Sequence, residues 1–328
     1  MADNRTVLVT GGAGYIGSHA VLALREAGMR VVVVDDLSTG RRAAVPEGVP
    51  LVEGSIGDRA LVRRVLDEHG VGAVMHFAGS IVVPESVDKP LEYYANNTVN
   101  SHALIETCKA AGVRRFIFSS TAAVYGMPDA LPITEDMPTK PINPYGTSKL
   151  MTEWMLRDTA AAHDFRYVAL RYFNVAGADA QGRSGQCSRV ATHLLKIAAE
   201  VVVGRRPEIS VYGDDYPTPD GTCIRDYIHV TDLADAHVKA VEYLERGGES
   251  TILNCGYGRG YSVREVLRAV ERVTGEPLPI RQGPRRPGDP PALVAGAERI
   301  RAVLGWTPRN DDLDRIVQSA IAWERGLG

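Results

Sequence analysis

The chain alternates short apolar runs with stretches in which apolar residues recur every three or four positions. Val7–Thr10, Val31–Asp35, Ala73–Phe77, Arg115–Ser119 and Tyr167–Phe173 read as strands. Ile16–Ala27, Leu61–His69, Asn96–Ala111 and Tyr145–Ala162 read as helices, the first closed by Gly28. The second strand is almost pure Val, the pattern of a strand covered on both faces. Strict alternation with short links predicts an α/β fold built on a doubly wound parallel sheet.

Beyond residue 175 the rhythm changes. A glycine-containing loop, Gly177–Gly185, leads to a helix over Ala191–Val203. Helices at Asp232–Arg246 and Val263–Thr274 then mix with isolated strands at Thr251–Asn254 and Leu278–Arg281. A proline-rich stretch, Pro284–Pro291, precedes two last helices, Ala297–Leu304 and Leu313–Arg325. The expectation is a first domain over residues 1–175. A smaller C-terminal α/β lobe over 176–328 is laid on the carboxyl ends of the strands, where open sheets bind ligands. Some of its segments, such as 224–256, are expected to return to the first domain.

Composition narrows the function. In 328 residues, 45% hydrophobic and 23% charged, there is ample material for a core. A net charge of −3 excludes a nucleic-acid binder that relies on a basic surface. The four cysteines form no CxxC pair and no metal-ligand spacing, so neither a disulfide scaffold nor a metal site is expected. No apolar leader precedes Val7, and no window approaches 18 uncharged apolar residues. These features predict a soluble cytoplasmic enzyme acting on small molecules, away from membranes. Of the 37 basic residues only 6 are Lys, so a lysine at a special spacing carries more weight than usual.

The first strand runs into Gly11-Gly12-Ala13-Gly14-Tyr15-Ile16-Gly17, and a helix follows at once. Glycines at 11, 14 and 17 permit a tight turn, a close approach of backbone to a pyrophosphate, and close helix–strand contact. The helix N-terminus then offers free N–H groups to the phosphates. The second strand ends at Asp35, 18 residues after Gly17, where a carboxylate accepts from ribose hydroxyls and repels a 2′-phosphate. Together they predict a Rossmann domain that binds NAD rather than NADP, with Arg41 and Arg42 as solvated loop charges.

Tyr145 and Lys149 stand at i and i+4 near the start of a helix, on one face. With 13 Tyr and 6 Lys, chance produces such a pair roughly 0.2 times in a chain of this length. The spacing predicts an ammonium close enough to the phenol to favour its ionised form against burial. Ser119-Ser120-Thr121 follow the Arg115–Phe118 run, where a hydroxyl can bind a reacting alcohol.

In this order along the chain, these motifs resemble the extended short-chain dehydrogenase/reductase superfamily, and more narrowly the UDP-glucose 4-epimerase family. The narrower likeness rests on Leu170–Asn174, Arg225-Asp226-Tyr227-Ile228-His229-Val230 and Pro284-Arg285-Arg286-Pro287-Gly288-Asp289, with His76–Gly79 and Ser119–Gly126 adding to it. The resemblance implies reversible C4 epimerisation of UDP-glucose and UDP-galactose through transient hydride transfer to bound NAD and a 4-keto sugar. Catalysis would fall to Tyr145 as base, Thr121 and Lys149. NAD would be held by Gly11, Gly14, Tyr15, Ile16, Gly17, Asp35, Ser55, Ile56, Phe77, Ala78, Gly79, Asn96, Ser119, Tyr145, Lys149 and Tyr172. The UDP-sugar would meet Thr121, Tyr145, Phe173, Asn174, His193, Leu194, Arg225, Arg286 and Asp289. The resemblance also implies a homodimer through the helices Asn96–Ala111 and Tyr145–Ala162.

Three positions depart from the family pattern. Ser55 stands where an Asp usually meets the adenine, Ile81 where some members carry a Lys near the pyrophosphate, and Leu293 where side-chain size bears on N-acetylated sugars. Another UDP-sugar, UDP-GlcNAc or a UDP-pentose, is therefore the alternative substrate. A 4,6-dehydratase needs a carboxyl beside the hydroxyl, and Ala122 and Ala123 follow Thr121 instead. A redox-silent NAD-binding regulator would need neither Tyr145 nor Lys149.

Overall fold

The computed structural model describes residues 6–187, 192–286 and 288–327. Ala191 of the expected helix and Pro287 of the proline-rich motif lie outside the described residues. Six strands of the first half, β1 (Thr6–Thr10), β2 (Arg30–Asp35), β3 (Leu51–Glu53), β4 (Val71–His76), β5 (Arg115–Thr121) and β6 (Arg166–Tyr172), join Thr251–Cys255 in one parallel sheet. The spatial order is Thr251–Cys255, β6, β5, β4, β1, β2, β3. The chain therefore winds outward from β1 in both directions, and the strand ends beside the reversal form the crevice in which such sheets bind ligands.

Alternate strand residues enter opposite cores. Val7, Val9, Val31, Val33 and Ile117 face the helices Tyr15–Glu26 and Val230–Glu245. Leu8, Val32, Val34, Phe116 and Phe118 face Arg59–His69, Asn100–Ala110 and Pro144–Ala162. The expected long helix from Asn96 differs in detail: Tyr94–Val99 is a π-helical turn, and α geometry resumes at Asn100. That wider turn rotates Asn97 inward.

A smaller layer lies beyond β6. Ile224–His229 pairs with Asn174–Ala176, Gly260–Ser262 and Ala292–Leu293, and Ile209–Tyr212 pairs with Ile280–Gly283. Its core joins the helices Leu194–Val202, Val263–Thr274 and Leu313–Gly326. Among the described residues no helix is long and apolar enough to cross a membrane.

Asp232 ties the C-terminal segment to the main sheet. Its buried carboxylate accepts from Tyr257 Oη at 2.7 Å, Arg309 N at 3.1 Å, and Asn310 N and Nδ2 at 2.8 Å each. Asp232→Ala leaves four donors short of an acceptor and should cost on the order of 3 kcal/mol in denaturant unfolding. Asp232→Asn, which retains one acceptor oxygen, should cost less; equal losses would show that burial alone holds this segment.

Candidate active site

The glycine turn forms as its spacing requires. Gly11 takes φ +71°, and a Cβ there would lie 2.6 Å from Ala78 N; one at Gly17 would lie 2.1 Å from Gly11 O. Gly14 caps the following helix without a side-chain bond, and no acidic residue occupies the first turn. The N–H groups of Tyr15, Ile16 and Gly17, which precede the first i→i−4 bond, are thus free to face an anion. Asp35 closes β2 beside them. Its carboxylate accepts from Ala13 N at 2.9 Å and Leu37 N at 2.8 Å, and Leu37 adopts φ +57° to reach it. Burial raises the Asp35 pKa above the ordinary carboxylate value, those bonds working against it. A free anion-facing turn next to a fixed carboxylate fits a dinucleotide.

Ser55 is exposed after β3, and its hydroxyl accepts from Gly57 N at 3.1 Å. Ile56 is buried in the sheet core. Ile81, where some members of the family carry a lysine, is 51% exposed. Phe77 and Ala78 both donate backbone N–H to Thr10 O, at 3.0 and 3.1 Å, which brings Phe77–Gly79 against the glycine turn. Asn96 is only half-buried and donates to Ser80 Oγ at 2.8 Å. The residue beside it has the stronger position: Asn97 accepts from Ser80 N at 2.7 Å and donates to Ser80 O at 2.9 Å and Ser148 Oγ at 3.0 Å. The sequence contained Asn97, but no α-helical wheel distinguishes it from Asn96 once a π turn intervenes.

Tyr145, Lys149 and Thr121 come together at the carboxyl end of β5. Pro144 opens their helix, and Asn143 Oδ1 accepts from Gly146 N at 2.8 Å, which fixes Tyr145 in the first turn. All three side chains are buried. Lys149 Nζ donates to Ser119 O at 3.1 Å and lies 5.0 Å from the Phe118 ring centre. Ser119 Oγ and Tyr172 Oη are 2.5 Å apart.

One expectation is corrected here. Burial, not the lysine, dominates at Tyr145: it raises the phenol pKa, while the Thr121 hydroxyl pulls the other way. Lys149 points at a carbonyl and a ring rather than the phenol, and burial lowers it to about 8. Burial of His76, with the Lys149 cation adding to it, lowers that imidazole to about 3 and holds it neutral.

The second cluster is looser. Asn174, His193 and Leu194 line one cavity with Gln186, Tyr227 and Trp323. His193 precedes its helix rather than lying on it, with Nδ1 2.7 Å from Gln186 Nε2. Phe173 packs with Tyr125 and Leu293, and Leu293 pairs in register with Arg225. Arg225 faces Asp289 at 3.4 Å, a long contact, whereas Asp226 is buried and spends its carboxylate on Tyr257 N, Gly258 N and Ala295 N. Exposed Arg286 lies 4.0 Å over the Tyr212 ring.

The chain matches known proteins along its whole length. Residues 7–256 match the NAD dependent epimerase/dehydratase family. A UDP-glucose 4-epimerase of Azospirillum brasilense is 65% identical over 99% of this chain and 94% of its own. The UDP-glucose 4-epimerase of Brucella ovis in complex with NAD superposes with a TM-score of 0.94 at 47% identity, covering 97% of this chain and 98% of that one. The Bifidobacterium longum enzyme in complex with NAD⁺ and UDP gives 0.93 at 42% identity, covering 98% of each. The chain thus belongs to the NAD dependent epimerase/dehydratase family and groups within it with the UDP-glucose 4-epimerases.

Proposed function

We propose that the protein interconverts UDP-glucose and UDP-galactose by oxidising C4 of the bound sugar and reducing it again on the opposite face. The observation that carries this reading is the buried Tyr145–Lys149–Thr121 group set on the same sheet edge as the anion-binding turn Gly11–Gly17. The backbone of Gly11, Gly14, Tyr15, Ile16 and Gly17 would take the pyrophosphate, Asp35 the adenosine ribose, and Ser55 and Ile56 the adenine. Phe77–Gly79, Ser119, Tyr172, Lys149 and Asn96 would surround the remainder, and we add Asn97 to them. NAD, when bound, supplies the hydride acceptor and donor and a positively charged ring.

Tyr145 Oη takes the proton of the 4-hydroxyl and returns it, so the net charge of the site is restored in each turnover. Thr121 donates to the phenolate and orients the sugar oxygen. Lys149 supplies a fixed cation. Because the reaction is redox-neutral, one retained cofactor suffices. Phe173, Asn174, His193, Leu194, Arg225, Arg286 and Asp289 would hold UDP, the guanidinium groups taking phosphate oxygens. On this reading residues 1–175 serve the cofactor and 176–328 the substrate, with the strand Thr251–Cys255 lent back to the main sheet.

The assembly belongs to the same proposal. Val87, Leu91, Val99 and Trp154 are 61%, 78%, 61% and 45% exposed on neighbouring helices, an apolar face suited to a second copy. Four free thiols support a cytoplasmic location.

Purified protein given UDP-galactose without added NAD should form UDP-glucose; no product even with NAD supplied overturns the reading. UDP-GlcNAc and UDP-xylose run in parallel identify the preferred sugar. Tyr145→Phe should lose about 10²–10⁴-fold in turnover while still binding UDP.

Lys149 also makes a stability prediction. With its folded pKa near 8 against an ordinary 10.5, the unfolded chain holds the extra proton between those values. Stability from this group therefore rises with pH across that window, and the cost of burying the cation is complete below it. In protein stripped of NAD, Lys149→Met should gain about 1–3 kcal/mol at pH 7 in denaturant unfolding, and the reloaded variant should lack activity; a loss of stability in the stripped protein would contradict it. Leu91→Asp with Trp154→Asp should give a monomer by light scattering, where the parent gives a dimer.

A further inference from the structure

Tyr145, Lys149 and Glu153 are spaced four apart on one helix face, and each meets the same short piece of β5. Tyr145 lies beside Thr121, Lys149 donates to Ser119 O, and Glu153 Oε1 accepts from Ser120 Oγ at 2.5 Å. Glu153 also takes a two-pronged bond from Arg171 of β6, Nε to Oε1 at 2.9 Å and Nη2 to Oε2 at 2.6 Å. The pair is nearly sealed from water, with side chains 2% and 5% exposed. Arg171 Nη1 donates to Tyr125 Oη at 2.9 Å, and that hydroxyl donates to Asn254 Oδ1 at 2.7 Å. One carboxylate thus joins the catalytic helix to two strands, to the turn that follows Thr121, and through it to a third strand.

We propose that Glu153 and Arg171 are positioning residues of the reaction, setting the depth at which the Tyr145 helix sits on β5 while cancelling each other's charge. A buried ion pair is a poor source of stability, since apolar side chains of similar volume replace one at little cost or with a gain. Geometry is what it supplies. Ser120 and Arg171 flank, in sequence, the hydroxyls of Ser119, Thr121 and Tyr172 at the ends of β5 and β6. A slip of the helix by a fraction of an ångström moves the phenol relative to all of them.

The charge balance is the second half of the inference. The charged and titratable groups around Tyr145 are Lys149 and Glu153 on its own helix, Tyr172 on β6, Tyr93 with the bonded Glu85 on the adjoining helices, Arg171, and neutral His76 facing Lys149. The pair cancels at Tyr145 as long as both members are present. Glu153→Gln leaves a guanidinium that cannot deprotonate, bonded beside a helix position that lies about 12 Å from that of Tyr145 by helical rise. At an effective dielectric of about 20 a full charge there shifts the phenol by about one pH unit downward.

The inference rests on Tyr145 being the base. The test is the pH profile of kcat/KM for UDP-galactose, with UDP affinity measured alongside. Glu153→Gln should keep UDP affinity, lose about 10²-fold in kcat, and move the acid limb down by about one unit. The double variant Glu153→Leu/Arg171→Met, which replaces the charges with apolar side chains of similar volume, should keep the kcat loss but return the acid limb to the parental position. Parental kcat in the double variant, or an acid limb in Glu153→Gln that does not move, overturns the proposal. If Glu153→Gln fails to fold, the double variant decides by its kcat alone. Activity surviving in Tyr145→Phe would instead remove the base assignment itself.

Discussion

A lysine ammonium held out of water beneath the carboxyl end of β5 is the constraint on which the rest of the site depends. Burial costs Lys149 enough to bring it to about 8, and few groups offset that cost: the Ser119 carbonyl and the Phe118 ring. The surroundings are arranged to tolerate it. His76 stays neutral, its Nδ1 2.7 Å from Thr10 Oγ1 and its Nε2 2.8 Å from Ser101 Oγ. Burial also keeps the phenol of Tyr145 protonated more strongly than in water. The two groups are thus each held away from their ordinary ionisation, one lowered and one raised. A cation beside the phenol would draw its pKa back down.

The same constraint accounts for the bonds that tie the glycine turn to the loop Gly177–Gly185. Tyr15, in the glycine turn, donates to Gly177 O at 2.6 Å, and Ser18 Oγ lies 2.6 Å from Ser184 Oγ. On its other side that loop is braced by the last helix, with Ala178 N donating to Ser319 Oγ and Trp323 Nε1 donating to Gln186 O. The low-dielectric site needs both walls in place, because water entering between them would relax the shifts at Tyr145 and Lys149 together.

Much of this was legible in the sequence because it is periodic or local. Continuous Val in β2, the glycine spacing at 11, 14 and 17, Asp35 at a strand end and the i, i+4 pair at 145 and 149 all report backbone geometry directly. The features that pattern did not single out have a common cause. Asn97 was hidden because a π turn displaces the helical register by a residue. The aim of Lys149 depends on a carbonyl thirty positions away, and no spacing rule encodes it. Glu153 and Arg171 are separately ordinary in the sequence, and only the pairing of β5 with β6 brings them into one bond. Contacts that cross between elements are where pattern reading stops.

In the proposed chemistry burial sets the Tyr145 phenol high and the bound cofactor's charge brings it into range. Ultraviolet difference titration of the parent minus Tyr145→Phe isolates that phenol, with the protein stripped of NAD and then reloaded. The phenol should titrate above the ordinary tyrosine value of about 10 in the stripped protein and fall clearly on reloading. A phenol that titrates at the same pH in both states would contradict it.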